Sequence, residues 1–205
     1  MLNNFVKEQE NKTPIEIEEI KERLNHSLTD ADLRAYLGKD VNKHILKYSE
    51  LANYQSITDL LPIDRSYKII LVESEFNSGH WICLMRYKDK YGVNTIEFFN
   101  SYGNKPTTEL NSIKKCISYL LGQDENDLKR LLKQKEFKVI YNKKRLQKYK
   151  DTINTCGRHV VNRIVAMKNL MMDLEEYIDF MDTKKKQYDC DYDILVTIFI
   201  PSINP

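Results

Sequence analysis

Residues 155–172 read TCGRHVVNRIVAMKNLMM. Valine, isoleucine, alanine and methionine recur on most faces at helical spacing, which predicts a helix buried in the middle of a domain. If that helix begins at Gly157, Cys156 stands at its N-terminus. Unpaired N–H groups and the helix dipole there favour a thiolate and lower a thiol pKa by about a unit or more from ~8.5. A nucleophile belongs at such a place, but so does a small buried residue, since free cysteine is among the most buried types. The choice turns on whether the chain supplies a partner.

Upstream of this helix the texture is that of strands. SYKIILVES, HWICLMRYK and VNTIEFFN, separated by the turn-prone KDKYG before the last, predict adjacent antiparallel strands over residues 67–100. EFKVIYN is one more strand. TTELNSIKKCISYLLG predicts one amphipathic helix stopped by Gly122, with Cys116 on its apolar stripe beside Ile113 and Leu120; DENDLKRLLKQ predicts a second helix. Before the strands, Thr29 with Asp32 forms a capping pattern and Gly38 supplies the stop, while YSELANY reads as a short helix or turn. After the buried helix, Asp173 with Glu176 is a second capping box, and DYDILVTIFIPS reads as helix. Helices, a sheet, then helices make an α+β domain. TPIEIEEIKERLNHS carries the charge pairing of a helix, and residues 1–14 read as a flexible N-terminal arm to one domain spanning 1–205.

The composition is that of an ordinary globular protein, with 41% hydrophobic and 30% charged residues and a net charge of +2. Neither a signal peptide nor a membrane span is legible, so the expected location is the cytosol or nucleus, or a particle assembled there. Four scattered cysteines, Cys83, Cys116, Cys156 and Cys190, then read as reduced thiols. Cys190, among YDCDYD, is expected on the surface.

The partners for Cys156 come from the histidines. His26 and His44 sit in charged stretches and are expected to be solvated, whereas His159 follows Cys156 by one helical turn. His80 opens a strand after the turn Asn77-Ser78-Gly79, where an imidazole has the exposure that general-base work needs. Side chains alternate along a strand, so His80 and Cys83 point to opposite faces and Cys83 belongs to the core. The pairs HWIC and CGRH therefore make a poor four-ligand zinc site. Asn100 stands where IEFFN breaks into a Ser-Tyr-Gly turn; there it can accept a hydrogen bond from the far nitrogen of His80 and fix its tautomer.

GHW at 79–81, FFNSYG at 98–103 and a Gln some residues before TCG, in that order, resemble the adenovirus-type (adenain-like) viral maturation cysteine proteases and the related proteases of ubiquitin-like proteins. The resemblance is nearest to the enzymes of virophages and Polinton (Maverick) elements and covers roughly residues 27–200. It implies a papain-like α+β fold, with the histidine and its partner on the sheet and the cysteine opening the central helix. On this pattern His80 is the base, Asn100 its partner, Cys156 the nucleophile and Gln147 the oxyanion donor, while Trp81 walls the substrate cleft. Two positions depart from the pattern. Gln147 stands nine residues before Cys156 rather than six or seven, and Asn100 replaces the acid found in many members.

The implied activity is an endopeptidase that processes capsid or core proteins during virion maturation, at the assembly site and in the particle, without a cofactor. The alternative within the same chemistry is an isopeptidase that removes a ubiquitin-like modifier. Outside it stands a zinc- or nucleic-acid-binding module in which Cys156 and His159 are structural. Between 129 and 150 ten Lys and Arg face a single acid, Glu136. Adenovirus-type proteases use DNA as a partner, and this segment, with Lys143, Lys144 and Arg145 at its centre, is the place where DNA or an activating acidic peptide would bind.

Overall fold

A computed structural model describes residues 22–202, so the expected N-terminal arm and most of the first expected helix lie outside the described residues; 22–25 are helical. In chain order follow α1 (Asp30–Leu37), β1 (Ile45–Lys47), α2 (Ile57–Leu60), β2 (Ser66–Glu75), β3 (Ser78–Lys88), β4 (Asn94–Phe99), α3 (Lys115–Leu120), α4 (Glu125–Leu132), β5 (Lys138–Tyr141), α5 (Cys156–Asn169), α6 (Leu174–Tyr188) and α7 (Tyr192–Phe199). The class is α+β. The chain forms two compact units, one from residues 43–145 and the other from the segments up to 42 and from 146 onward.

The unit of residues 43–145 holds a five-stranded mixed sheet in the order β1-β2-β3-β4-β5. β1 and β5 join in parallel at the edges, and β2, β3 and β4 are antiparallel, as the alternation of SYKIILVES and HWICLMRYK predicts. One face presents Ile70, Val72, Ile82, Leu84, Ile96 and Phe98 to a core closed by Tyr48 and Leu51, by Ile57 and Leu60 of α2 and by Leu128 and Leu131 of α4. His80 is in phase with Ile82 and Leu84 and lies on that same face at the strand end; Cys83 is out of phase and fully buried, as expected.

The hairpin before His80 has tight constraints. Asn77 takes the left-handed conformation at φ +58°, and Gly79 lies against β2 so closely that a Cβ would sit 2.0 Å from the Val72 carbonyl oxygen. The ladder slips at residues 73–75. There the Gln123 side chain replaces the missing strand partner, accepting from the Glu73 N–H and donating to its carbonyl, each at 2.8 Å.

One expected helix is divided. Residues 107–122 form a 3₁₀ helix (Pro106–Ser112), then an extended link at Ile113 and Lys114, then α3. Ile113 packs against the core at that link, and α3 buries only Ser118. Cys116 is therefore exposed and Leu120 is 77% exposed, so the apolar stripe assigned to them is not a core face. His44 is also unlike its expectation: its ring stacks on Tyr67 with centroids 4.4 Å apart.

In the other unit α5 is buried at every position from Gly157 to Met167 and contacts α1 and α7, with α6 packed on α7. The two capping boxes, Thr29 with Asp32 and Asp173 with Glu176, are both formed. α5 carries two fully buried arginines that its apolar pattern did not foreshadow. Arg158 donates to the carbonyls of Ile200 and His26, and Arg163 to that of Met172 while its guanidinium lies 5.1 Å from the Tyr177 ring. These bonds tie both guanidinium groups to backbone carbonyls, while Nη2 of Arg158 is buried without a hydrogen-bond partner.

Candidate active site

His80 lies at the end of the sheet, in the unit of residues 43–145. β4 stops opposite Cys83, so the chain past Phe99 runs beside residues 82 to 80 of β3 without ladder bonds. Asn100 and Tyr102 then fall next to His80. The His80 Nε2 lies 3.0 Å from Asn100 Oδ1, and the Tyr102 ring stacks on the imidazole at 4.6 Å and 24°. Asn100 is fully buried, and every polar atom of it has a partner. Its Oδ1 also accepts from Tyr102 N–H at 2.8 Å, and its Nδ2 donates to Glu109 Oε2 at 2.6 Å. Its backbone exchanges two hydrogen bonds with the Asn142 amide, at 2.9 and 2.6 Å. Because Oδ1 can only accept, Nε2 of the imidazole is the protonated nitrogen, and the neutral ring carries its lone pair on Nδ1.

Sequence reasoning missed three residues around His80 and Asn100: Tyr102, Asn142 and Glu109. Glu109, on the 3₁₀ helix Pro106–Ser112, is 4% exposed. Burial pushes its carboxyl up from 4.5 to about 7, against the downward pull of the Asn100 hydrogen bond. A signal was present, because Glu109 precedes Ile113 by four residues, which puts an acid on the very stripe read as apolar.

Cys156 lies in the other unit, at the start of α5. Cys156 is the first helical residue and half-buried. Thr155 occupies the N-cap position, yet no side chain caps the helix, because the Thr155 hydroxyl donates instead to Asp193 Oδ1 at 2.5 Å. Asp193, on α7, also accepts from His159 Nε2 at 3.2 Å and from the Lys148 N–H at 3.0 Å. Burial alone would raise this carboxyl, but these three donors hold it below the usual carboxylate range. One buried acid thus pins both ends of the loop that runs from Gln147 to Cys156. Gln147 is itself 1% exposed and gives a side-chain N–H to the Ile153 carbonyl at 3.2 Å. His159 is fully buried and committed to Asp193.

Over 183 residues the sequence is 33% identical to the Sputnik virophage protein named "Uncharacterized protein V9", covering 89% of this chain and 98% of the relative. The chain belongs to the V9 family. Its kinship is therefore viral. No protein-family model matches it, and no solved structure does.

In this V9-family chain the remaining expected positions are distributed as follows. Trp81 is half-buried next to His80, on the opposite face of β3. Lys143 and Arg145 are exposed and Lys144 is half-buried, on the connector after β5. Cys190 is half-buried rather than exposed, and burial together with Asp191 and Asp189 pushes its thiol up. Among the described residues no group of three or more His, Cys, Asp and Glu is arranged to hold a metal ion, and no helix is long and apolar enough to cross a membrane.

Proposed function

We propose that the chain is a cysteine endopeptidase of the adenain type, with a papain-like fold, that processes capsid or core proteins during virion maturation. The observation that carries this reading is the His80 Nε2 to Asn100 Oδ1 hydrogen bond at 3.0 Å, with the amide held in one orientation by Glu109 and Tyr102. A buried asparagine with all its partners engaged, turned toward a half-buried histidine at a strand end, serves to set a tautomer. A lone surface histidine needs none of it.

In this mechanism Cys156 as thiolate adds to the substrate carbonyl carbon, and the electron pair moves to the oxygen. The oxyanion receives hydrogen bonds from the Cys156 backbone N–H and, on the family pattern, the Gln147 side-chain amide; one such donor is worth about 10²–10³ in rate. Collapse breaks the C–N bond as His80 gives its Nδ1 proton to the leaving amine. Water then attacks the thioester with its proton passing to Nδ1, and the C–S bond breaks to restore the thiolate. On the family pattern Trp81 belongs to the substrate-binding side of the enzyme, which works at the assembly site and in the particle.

The test is iodoacetamide at low dose across pH, with mass mapping of all four cysteines, in wild type and His80→Ala. Cys116 is the proper reference thiol because it is exposed, whereas the Cys190 thiol is pushed up. Selective alkylation of Cys156 near pH 6 that His80→Ala weakens is the expected result. A Cys156 that reacts no faster than Cys116 and ignores His80 removes the catalytic reading.

A further inference from the structure

We infer that Glu109 is a positioning acid for His80: through Asn100 it fixes which way the amide faces and, once ionised, places a negative charge one hydrogen bond behind it. The inference rests on the reading of His80 as the general base. An asparagine side chain is nearly symmetric in shape. Turned over, it would present N–H to Nε2 and force the ring proton onto Nδ1, where the base must be. Two contacts oppose this. With the amide reversed, N–H would face the Tyr102 N–H and oxygen would face the Glu109 carboxyl, replacing hydrogen bonds now 2.8 and 2.6 Å long with like-against-like contacts.

Of these two contacts only Glu109 can carry charge. Hydrogen bonds to an ionised acceptor are shorter and roughly twice as strong as neutral ones, and the Asn100–Glu109 contact is the shorter of the pair. An acid directly on the histidine would stabilise the imidazolium through one hydrogen bond; here Asn100 stands between the two and passes on the polarisation. The titratable neighbours are few. Tyr48 faces Glu109 from the 3₁₀ helix Tyr48–Asn53, and its phenol is raised by burial first and by the Glu109 carboxylate second. From α4, which packs on the same 3₁₀ turn, the charged groups are Glu125, Asp127, Lys129 and Arg130, with Asp124 at its N-cap. On the His80 side stand Tyr102 and Asn100.

The experiment follows the His80 ring nitrogens of ¹⁵N-labelled full-length protein by long-range ¹H–¹⁵N correlation across pH, in wild type, Glu109→Gln, Asn100→Ala and the double variant. In wild type the neutral ring is expected to carry its proton on Nε2. Glu109→Gln should leave it there, since the Gln oxygen still accepts from Nδ2, but the upper part of the His80 titration, where Glu109 is ionised, should move to lower pH because that charge is gone. In the Asn100→Ala background the same substitution should produce no further shift. Superimposable His80 titrations in wild type and Glu109→Gln overturn the inference, as does an equal shift in the Asn100→Ala background. If Asn100→Ala fails to fold, the first comparison decides alone. The readout is the ring and not turnover, so the outcomes separate. An inference that fails leaves selective Cys156 alkylation intact, and a failed protease reading shows as an unactivated Cys156 whatever the ring does.

Discussion

Glu109 shows how far a single buried acid can tie stability to function. Its carboxyl ionises in the folded chain around pH 7, whereas in the unfolded chain it does so near 4.5. Below 4.5 both states hold the proton, and the residue's contribution is at its most favourable. As the pH rises the unfolded chain ionises first, so stability falls until the folded carboxyl also ionises at about 7. Wild type should therefore lose stability relative to Glu109→Gln between those values, by up to about 3 kcal/mol. Urea unfolding of both proteins at pH 4, 6 and 8 checks this: the gap should open with rising pH and stay constant beyond 8. The residue thus costs stability at the pH where its charge would assist His80, which is the pattern expected of a group retained for function. At Gly79 the constraint is shape alone. A methyl group there would meet the Val72 carbonyl at 2.0 Å and the Glu73 Cα at 2.8 Å, both backbone atoms that cannot swing aside. Gly79→Ala should destabilise the protein by about 2–3 kcal/mol and blunt Cys156 alkylation by displacing His80, measured as a lower urea midpoint and a slower labelling rate.

At the scale of elements, α7 governs α5 through one side chain. Asp193 receives the Thr155 hydroxyl, the His159 ring N–H and the Lys148 backbone N–H, and its own backbone carbonyl takes the Thr197 hydroxyl. Asp193→Ala strands three donors, two of them on fully buried residues, and should cost about 3 kcal/mol at pH 7. The Asp193 carboxyl is lower in the folded chain than the ordinary 3.8, so its contribution is present above that pH and lost as the pH falls through the folded value. The wild-type advantage in urea should accordingly shrink on going from pH 7 to pH 3. These connections explain what was legible in the sequence. The strands, the capping boxes at Thr29 and Asp173, and the buried α5 declare themselves by local period and local side-chain chemistry, as does the placement of His80, Asn100 and Cys156 at element ends. Helix 107–122 misled because Ile113 leaves the helical path to reach the core, a tertiary gain that outweighs propensity at two residues. Glu109 left a trace as an acid on the stripe read as apolar, but Asn142 and Asp193 were illegible because their partners lie 42 and 38 residues away in sequence. No local pattern encodes a contact at that distance.

For the whole molecule the relevant quantity is the distribution of charge. A net +2 gives no general attraction to nucleic acid, so any such binding must come from the segment 129–150, with its ten cations and one acid. Within it Lys129 pairs with Glu125, Arg130 with Asp127, Lys138 with Asp89 and Lys148 with Asp191. Lys143, Lys144 and Arg145 stand consecutively on the connector after β5, and we propose this connector as a DNA contact. It is fastened to the His80 end of the sheet by backbone. Asn142 Nδ2 donates to the carbonyls of both Asn100 and Lys144, and Gly103 leaves so little room that a Cβ would sit 3.0 Å from the Lys143 carbonyl oxygen. Reversing the three charges to glutamate therefore removes phosphate contacts while leaving the main-chain clamp on Asn100 in place. Wild type should be retained on immobilised duplex DNA at about 50 mM salt and released by about 200 mM, with a slope of log affinity on log salt of roughly −0.9 per phosphate neutralised. The triple variant should lose retention at low salt and keep the wild-type rate of Cys156 alkylation. Retention that ignores salt, or that survives the reversal, would show that the connector's charge serves solubility alone. A parallel loss of Cys156 reactivity would show instead that these side chains, and not only their backbone, support the turn at Asn100.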